Sequence, residues 1–193
     1  MKPFILTFIN TILFSFTVSA QGSFPYSATL TDIQGNEINS NTFTNQGKPL
    51  IIDFWGAFCK PCIVKYHSMA EVYKQWQKDT RVKIIIISID HEKMQSKSKE
   101  MIEKYDWPFE AYFDPNQELL EQLSSTSSVP QTFIYDGDFN LIKKKKGARI
   151  IPKDPSVDQS KIMEIMHESG SLESLTCDLT EYREAVKLAA KEE

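Results

Sequence analysis

The stretch Leu50-Ile51-Ile52-Asp53-Phe54-Trp55-Gly56-Ala57-Phe58-Cys59-Lys60-Pro61-Cys62 decides how the chain reads. Its first six residues make a short apolar run of strand length, interrupted by one charge. Such a continuous run fits a strand covered on both faces of its sheet. After Gly56 the period changes: Ile63, Tyr66/His67, Ala70, Tyr73 and Trp76 recur at three- and four-residue spacing, which predicts a helix over about 60–78. A second run, Lys83-Ile84-Ile85-Ile86-Ile87-Ser88-Ile89, is almost wholly β-branched. Strand, helix, strand is a βαβ unit, with a right-handed crossover.

Cys59 and Cys62 therefore fall where the strand joins the helix. Side chains three apart on a helix lie about 5–6 Å from each other, which suits a disulfide, whose Cα atoms sit about 4.4–6.8 Å apart. A bridge can form and open there with little backbone movement. Cys59, at the helix N-terminus, has its thiolate stabilised by free backbone N–H groups and the positive end of the helix dipole. Cys62, one turn inside, is less exposed and acts second. Pro61 is tolerated in a first turn, where its missing N–H would have had no intrahelical partner. Lys60, between the thiols, favours the thiolate and so pushes the couple toward the oxidising side. The same spacing occurs in half of a zinc site or in an inert bridge. Zinc sites of this type need two further ligands, and no second Cys pair or His pair follows at usable spacing. With a strand before and a helix after, the redox reading is preferred.

Asp53 is the one charge inside the apolar strand. A buried carboxylate is costly unless it is paired or kept neutral by a raised pKa. Placed beneath the Cys62 side of the pair, it can take the proton of the resolving thiol. The alternative is a strand-end aspartate reaching a lysine or solvent.

Outward from this centre the chain reads as one α/β unit with a tail. Residues 21–48 are polar and turn-rich, and Gln34-Gly35-Asn36 between two short alternating runs predicts an N-terminal β-hairpin. A helix is expected over 93–105, and Asp114-Pro115 opens another that runs to about Leu123. Phe133-Ile134-Tyr135, Asp136-Gly137-Asp138 and Phe139-Asn140-Leu141-Ile142 read as a hairpin with an Asp-Gly turn. A helix near 157–168 closes the domain. Beyond Gly170, Asp178-Leu179-Thr180-Glu181 has the form of a helix start. Leu179, Tyr182, Val186 and Ala189/Ala190 would form the apolar face of a short tail helix, either docked or mobile.

Composition agrees with a single domain. The 193 residues are 41% hydrophobic and 25% charged, with 22 Lys+Arg against 26 Asp+Glu. That is too apolar for disorder, and 7 Gly with 9 Pro are too few for a fibrous chain. Three cysteines cannot staple a miniprotein. A net charge of −4 gives no electrostatic reason to expect binding to nucleic acid.

The first twenty residues look like an export signal. Met1-Lys2 is a positive start, residues 4–18 are apolar with a few Ser, Thr and Asn, and Val18-Ser19-Ala20 offers small residues before a cut at Gln21. The alternative is an uncleaved membrane anchor facing the periplasm, but an anchor needs about 20 apolar residues and no basic stop-transfer flank follows here. No cysteine follows Ala20, so no lipid anchor is expected. The expected organisation is a signal peptide over 1–20, a catalytic domain over 21–170 and a helical tail over 171–193.

A second cluster is Ser127-Ser128-Val129-Pro130-Gln131-Thr132-Phe133. Proline at the start of an apolar strand, after a serine-rich loop, is where a cis X-Pro bond is accommodated. Beside the cysteines it would leave the Val129 backbone open to a substrate strand.

The strand, the Trp-x-x-x-Cys-x-x-Cys segment starting at Trp55, the acid at Asp53 and Val129-Pro130 before a strand together resemble the thioredoxin superfamily. The export signal and extra hairpin are similar to its TlpA-like branch of bacterial envelope thiol–disulfide oxidoreductases. The resemblance covers roughly residues 25–168 and is specific in combination. It implies a central mixed β-sheet flanked by helices, with the N-terminal hairpin as an extension. It implies that Cys59 is the nucleophile, Cys62 the resolving thiol and Pro130 the cis-proline, with substrate meeting Trp55, Phe58 and Val129. No cofactor is implied beyond a redox-active Cys59–Cys62 disulfide. Protein dithiols and disulfides would be the substrates of a periplasmic monomer, with a membrane electron donor. Two positions depart from the pattern. Phe58 stands where a Trp is usual, which keeps an aromatic cover and loses an N–H donor. Several cytochrome c maturation members carry a Glu three residues after the second Cys, where this chain has Lys65, a tuning position; that favours a more general reductase.

Other residues read as ordinary. His67 lies roughly 12 Å along the helix from Cys59 at 1.5 Å per residue, too far to act as its base, and reads as a packed stripe residue. Lys143 to Lys146 read as a solvated basic face at a strand end, and Cys177 as a packed or free thiol. Two rival functions use the same cysteines. A peroxiredoxin-like peroxidase needs a Thr four residues before its attacking Cys, where this chain has Trp55. A copper-binding module would use Cys59, Cys62 and a histidine.

Overall fold

The computed structural model describes residues 23–153, 166 and 172–191. The expected signal at 1–20 lies outside these residues, as does all but Met166 of the helix expected at 157–168.

The central element is β3 (Leu50–Trp55), buried from end to end. It pairs in parallel with β4 (Lys83–Ser88) and antiparallel with β6 (Gln131–Tyr135). Between β3 and β4 runs α1 (Lys60–Thr80), as the apolar period of that segment requires. α2 (Glu92–Tyr105) then carries the chain to β5 (Glu110–Phe113), parallel to β4. β5 was not anticipated: four residues that begin with a glutamate carry too little apolar signal to stand out. It joins the N-terminal hairpin, β1 (Thr29–Asp32) and β2 (Glu37–Asn39), to the sheet. The hairpin turn is held by the Asp32 carboxylate, which accepts from the N–H groups of Gln34 and Asn36 at 2.9 and 2.8 Å.

α3 (Glu118–Leu123) precedes β6, and β7 (Leu141–Lys146) completes a seven-stranded mixed sheet in the order β2-β1-β5-β4-β3-β6-β7. The expected second hairpin strand starts two residues late, because Phe139 takes a left-handed φ of 63° in the turn. β7 then runs through all four lysines instead of ending before them. As the outermost strand it needs one solvated face, and lysine discourages edge-to-edge pairing. β8 (Ile150–Pro152) and β9 (Leu175–Cys177) form a small second sheet, and α4 (Thr180–Ala189) follows.

Alternation along β3 divides the core. Leu50, Ile52 and Phe54 face Phe24, Leu30, Phe43, Leu119 and Phe133. Ile51 and Trp55 face the helix α1, with Tyr66, Met69 and Trp76, and the tail residues Tyr182 and Val186. The tail is thus docked, with Tyr182, Ala185, Val186 and Ala189 buried along one face of α4. Asp53 has the parity of Ile51 and Trp55, so it also points toward α1. Among the described residues no helix is long and apolar enough to cross a membrane.

Candidate active site

Cys59 is the N-cap of α1, and its Sγ accepts the N–H of Cys62 at 3.3 Å. The two cysteines are joined in a disulfide, with Cα atoms 5.2 Å apart. Cys59 is partly exposed and Cys62 completely buried. This asymmetry follows from position: the N-cap lies beyond the C-terminal end of β3, while the residue one turn in packs with Ile51 and Trp55 of that strand. An external thiol or disulfide can therefore reach only Cys59. Pro61 sits in the first turn, and the Lys60 ammonium donates to the Met166 carbonyl.

Opposite the bridge, the Val129–Pro130 peptide bond is cis. The β3–β6 ladder ends at the Phe54–Gln131 pair, so Val129 lies beyond it. Val129, Cys59, Pro61 and Phe58 line one groove with Ile89, His91 and Met94. Phe58 is 76% exposed at its rim. Trp55, expected to meet substrate, has no exposed surface. Its ring packs edge to face on Tyr66 and Trp107 at 5.7 and 5.6 Å, so it supports the site from below.

The loop before Cys59 has a brace that the motif did not reveal. Asp90, just past β4, accepts the Ala57 N–H at 2.7 Å and the hydroxyls of Ser88 and Ser98 at 2.9 and 2.5 Å. A Cβ at Gly56 would come within 3.2 Å of the Asp90 Oδ1, so a side chain there would press on this brace. The available signal was an aspartate immediately after a buried strand.

Asp53 does reach a lysine, and that lysine is Lys65. Both side chains are wholly buried. Lys65 Nζ donates to both Asp53 oxygens, at 2.8 and 2.6 Å. Tyr66 donates to Oδ1 at 2.8 Å and Thr132 to Oδ2 at 2.5 Å. The carboxylate is thus saturated by donors from the helix and from the neighbouring strand. Burial, then the negative charge of Asp53, drive the Tyr66 phenol well above its ordinary pKa, so it remains a donor.

The tail is tied to the same helix. Ser68 Oγ, on α1, accepts the Cys177 N–H at 2.8 Å. The Cys177 thiol is free and buried, and desolvation pushes its pKa up to about 11. It is a packed thiol. His67 stacks edge to face on Tyr105 at 4.7 Å, as a stripe residue should. The lysine run is not simply solvated: Lys143 and Lys145 pair with Glu181 of α4 at 3.2 and 3.1 Å. Among the described residues no three His, Cys, Asp or Glu side chains converge where a metal ion could sit.

A family model described as the AhpC/TSA family matches residues 23–144. The chain belongs to the AhpC/TSA family. Curated relatives include the thiol-disulfide oxidoreductase ResA of Bacillus thuringiensis subsp. konkukian, 28% identical over 118 residues. That match covers 61% of this chain and 65% of the relative, so it spans a little under two thirds of the relative's length. ResA of Bacillus subtilis is 25% identical over 128 residues, covering 66% of this chain and 68% of that protein. Among solved structures, a thioredoxin-like protein from Porphyromonas gingivalis superposes with a TM-score of 0.64 at 26% identity. It covers 89% of this chain and 95% of its own. The fold is thioredoxin-like, as the motifs implied.

Proposed function

We propose that the chain is a thiol–disulfide oxidoreductase of the bacterial cell envelope that reduces protein disulfides through Cys59 and Cys62. The observation that carries this reading is the asymmetry of the pair: a partly exposed Cys59 at a helix N-terminus, bridged to a Cys62 that nothing outside can touch. The ResA relatives, named as thiol-disulfide oxidoreductases, support it.

In the reduced protein the Cys59 thiolate is stabilised by the Cys62 N–H and the helix dipole, with the Lys60 charge adjacent. It attacks one sulfur of a substrate disulfide; a mixed disulfide forms and the other substrate sulfur leaves as a thiolate. The substrate segment lies in the groove between Phe58 and Val129, against the cis Val129–Pro130 bond. Cys62 then attacks Cys59 Sγ, re-forming the bridge and releasing the second substrate thiol. Two electrons pass from the dithiol to the substrate.

Export through residues 1–20 would place this chemistry where disulfides persist, and a membrane dithiol donor would return the bridge to the reduced form. The test is turnover of insulin disulfides by the purified protein with a small dithiol as electron source. Reduction well above the uncatalysed rate, abolished by Cys59→Ser, is expected. Absence of any acceleration by the intact protein would contradict the reading.

A further inference from the structure

The groove beside Cys59 has a chemical bias that dithiol exchange as written above does not use. Phe58, Pro61, Ile89, Met94 and Val129 give it apolar walls, and among the described residues no lysine or arginine lines it. Its ionisable side chains besides Cys59 are Asp90 and His91, adjacent in the chain just past β4. Lys60, next to Cys59 in sequence, is not part of the lining; its ammonium donates to the Met166 carbonyl.

Asp90 and His91 each keep an acceptor in reserve. Every donor that the fold gives the Asp90 side chain goes to one oxygen: the Ala57 N–H and the Ser88 and Ser98 hydroxyls all reach Oδ2. Oδ1 has no hydrogen-bond partner among the described residues. It lies over Gly56, which itself lines the groove, and the missing Cβ leaves it uncovered. His91 Nδ1 is 3.1 Å from the Pro115 carbonyl. A carbonyl only accepts, so Nδ1 carries the ring hydrogen and Nε2 of the neutral ring is an acceptor. Nε2 also has no partner among the described residues.

A substrate side chain that suits two acceptors and no donor is one that only donates, which describes lysine and arginine. We infer that the groove selects protein disulfides whose reacting cysteine stands between an apolar residue and a lysine or arginine: the apolar side chain packs on the groove walls, and the cation meets Asp90 Oδ1 and His91 Nε2. This rests on the exchange reading above and names its substrate class.

An acidic neighbour is disfavoured for the same reason, since it brings a further acceptor and a like charge to Asp90. The start of α2 does not reverse this preference. The positive end of a helix draws anions, but Asp90 just before that end and Glu92 in the first turn already supply the negative charge.

The test uses blocked peptides oxidised to disulfide dimers, each peptide with one cysteine between a leucine and a residue X, in both orders. X is lysine, alanine or glutamate. The full chain reduces them with an uncharged small dithiol as electron source. Each kcat/KM is divided by that dimer's rate with the dithiol alone, which removes the effect of X on intrinsic disulfide reactivity. In at least one order, lysine is expected to exceed alanine by about threefold and glutamate by about tenfold at low salt. Added salt should shrink that spread. His91→Lys puts a cation into the groove and is expected to invert the lysine-to-glutamate ratio. Asp90→Asn should bring the ratio to within about twofold of one. A ratio taken within one preparation does not depend on its folded fraction, so weakening the Asp90 brace does not obscure the result. A ratio near one for the unmodified protein in both orders would overturn the proposal, as would a ratio that neither substitution moves. If no peptide is reduced faster than by the dithiol alone, the exchange reading itself fails.

Discussion

Lys65 Nζ and Asp53 Oδ2 lie 2.6 Å apart, beneath the helix that carries Cys62, and neither side chain has any exposed surface. Removing one partner strands the other charge in the core. Lys65→Ala is therefore expected to destabilise the protein by about 3–5 kcal/mol, read as a lowered midpoint in urea. The double variant Lys65→Met with Asp53→Asn removes both charges and should recover most of that loss. An equal loss in the single and double variants would mean that packing, not charge pairing, holds these positions.

Phe58 stands at the other extreme, exposed at the groove rim. Phe58→Ala should leave stability within about 0.5 kcal/mol, as is usual for exposed sites. It should raise the KM for a protein disulfide without changing the reaction of Cys59 with a small alkylating reagent. Unchanged kinetics with protein substrates would remove Phe58 from the docking surface.

The buried Cys177 thiol gives a pH dependence of defined sign. Burial raises its pKa from 9.0 to about 11, so the folded state holds this proton more tightly than the unfolded chain does. Its stabilising contribution is complete below the unfolded value and is lost as pH rises through the folded one, by about 3 kcal/mol in total. Cys177→Ser should flatten this part of the alkaline stability profile. Rapid alkylation of Cys177 in the native protein at neutral pH would contradict its burial.

The tail is held mainly by apolar contact. Tyr182→Ala, which empties a fully buried aromatic site, is expected to cost about 3–5 kcal/mol in urea unfolding. Glu181→Gln, at an exposed pair of ion contacts, should make no measurable difference. Comparable losses from the two variants would assign the docking to charge.

Much of this was legible in the chain, for reasons visible in particular residues. β3, α1 and β4 were readable because a covered strand is continuously apolar and a packed helix repeats every three to four residues. The Val129-Pro130 pair marked the far wall of the site. β5 was hidden because its four residues begin with Glu110 and carry little alternation. β7 was hidden because an edge strand can be written in lysines. The Asp53–Lys65 contact had a signal that went unused: each is a lone charge on an apolar face, of opposite sign, on adjacent elements of one βαβ unit. Two such charges have few ways to be satisfied except by each other. The docking of α4 arises from contacts between distant segments, which no local pattern encodes, and the Asp90 brace left as its trace only an aspartate just past a buried strand.

The central claim is that a substrate sulfur is held on Cys59 and released by Cys62. Its most direct measurement replaces Cys62 with Ser, expresses the full chain, residues 1–20 included, in a bacterial host, and separates acid-quenched envelope extracts without reductant. The account predicts mixed disulfides that carry this chain, disappear on reduction, and are absent when Cys59 is also replaced. Failure of the Cys62→Ser protein to accumulate any such species, while it remains folded and exported, would contradict it.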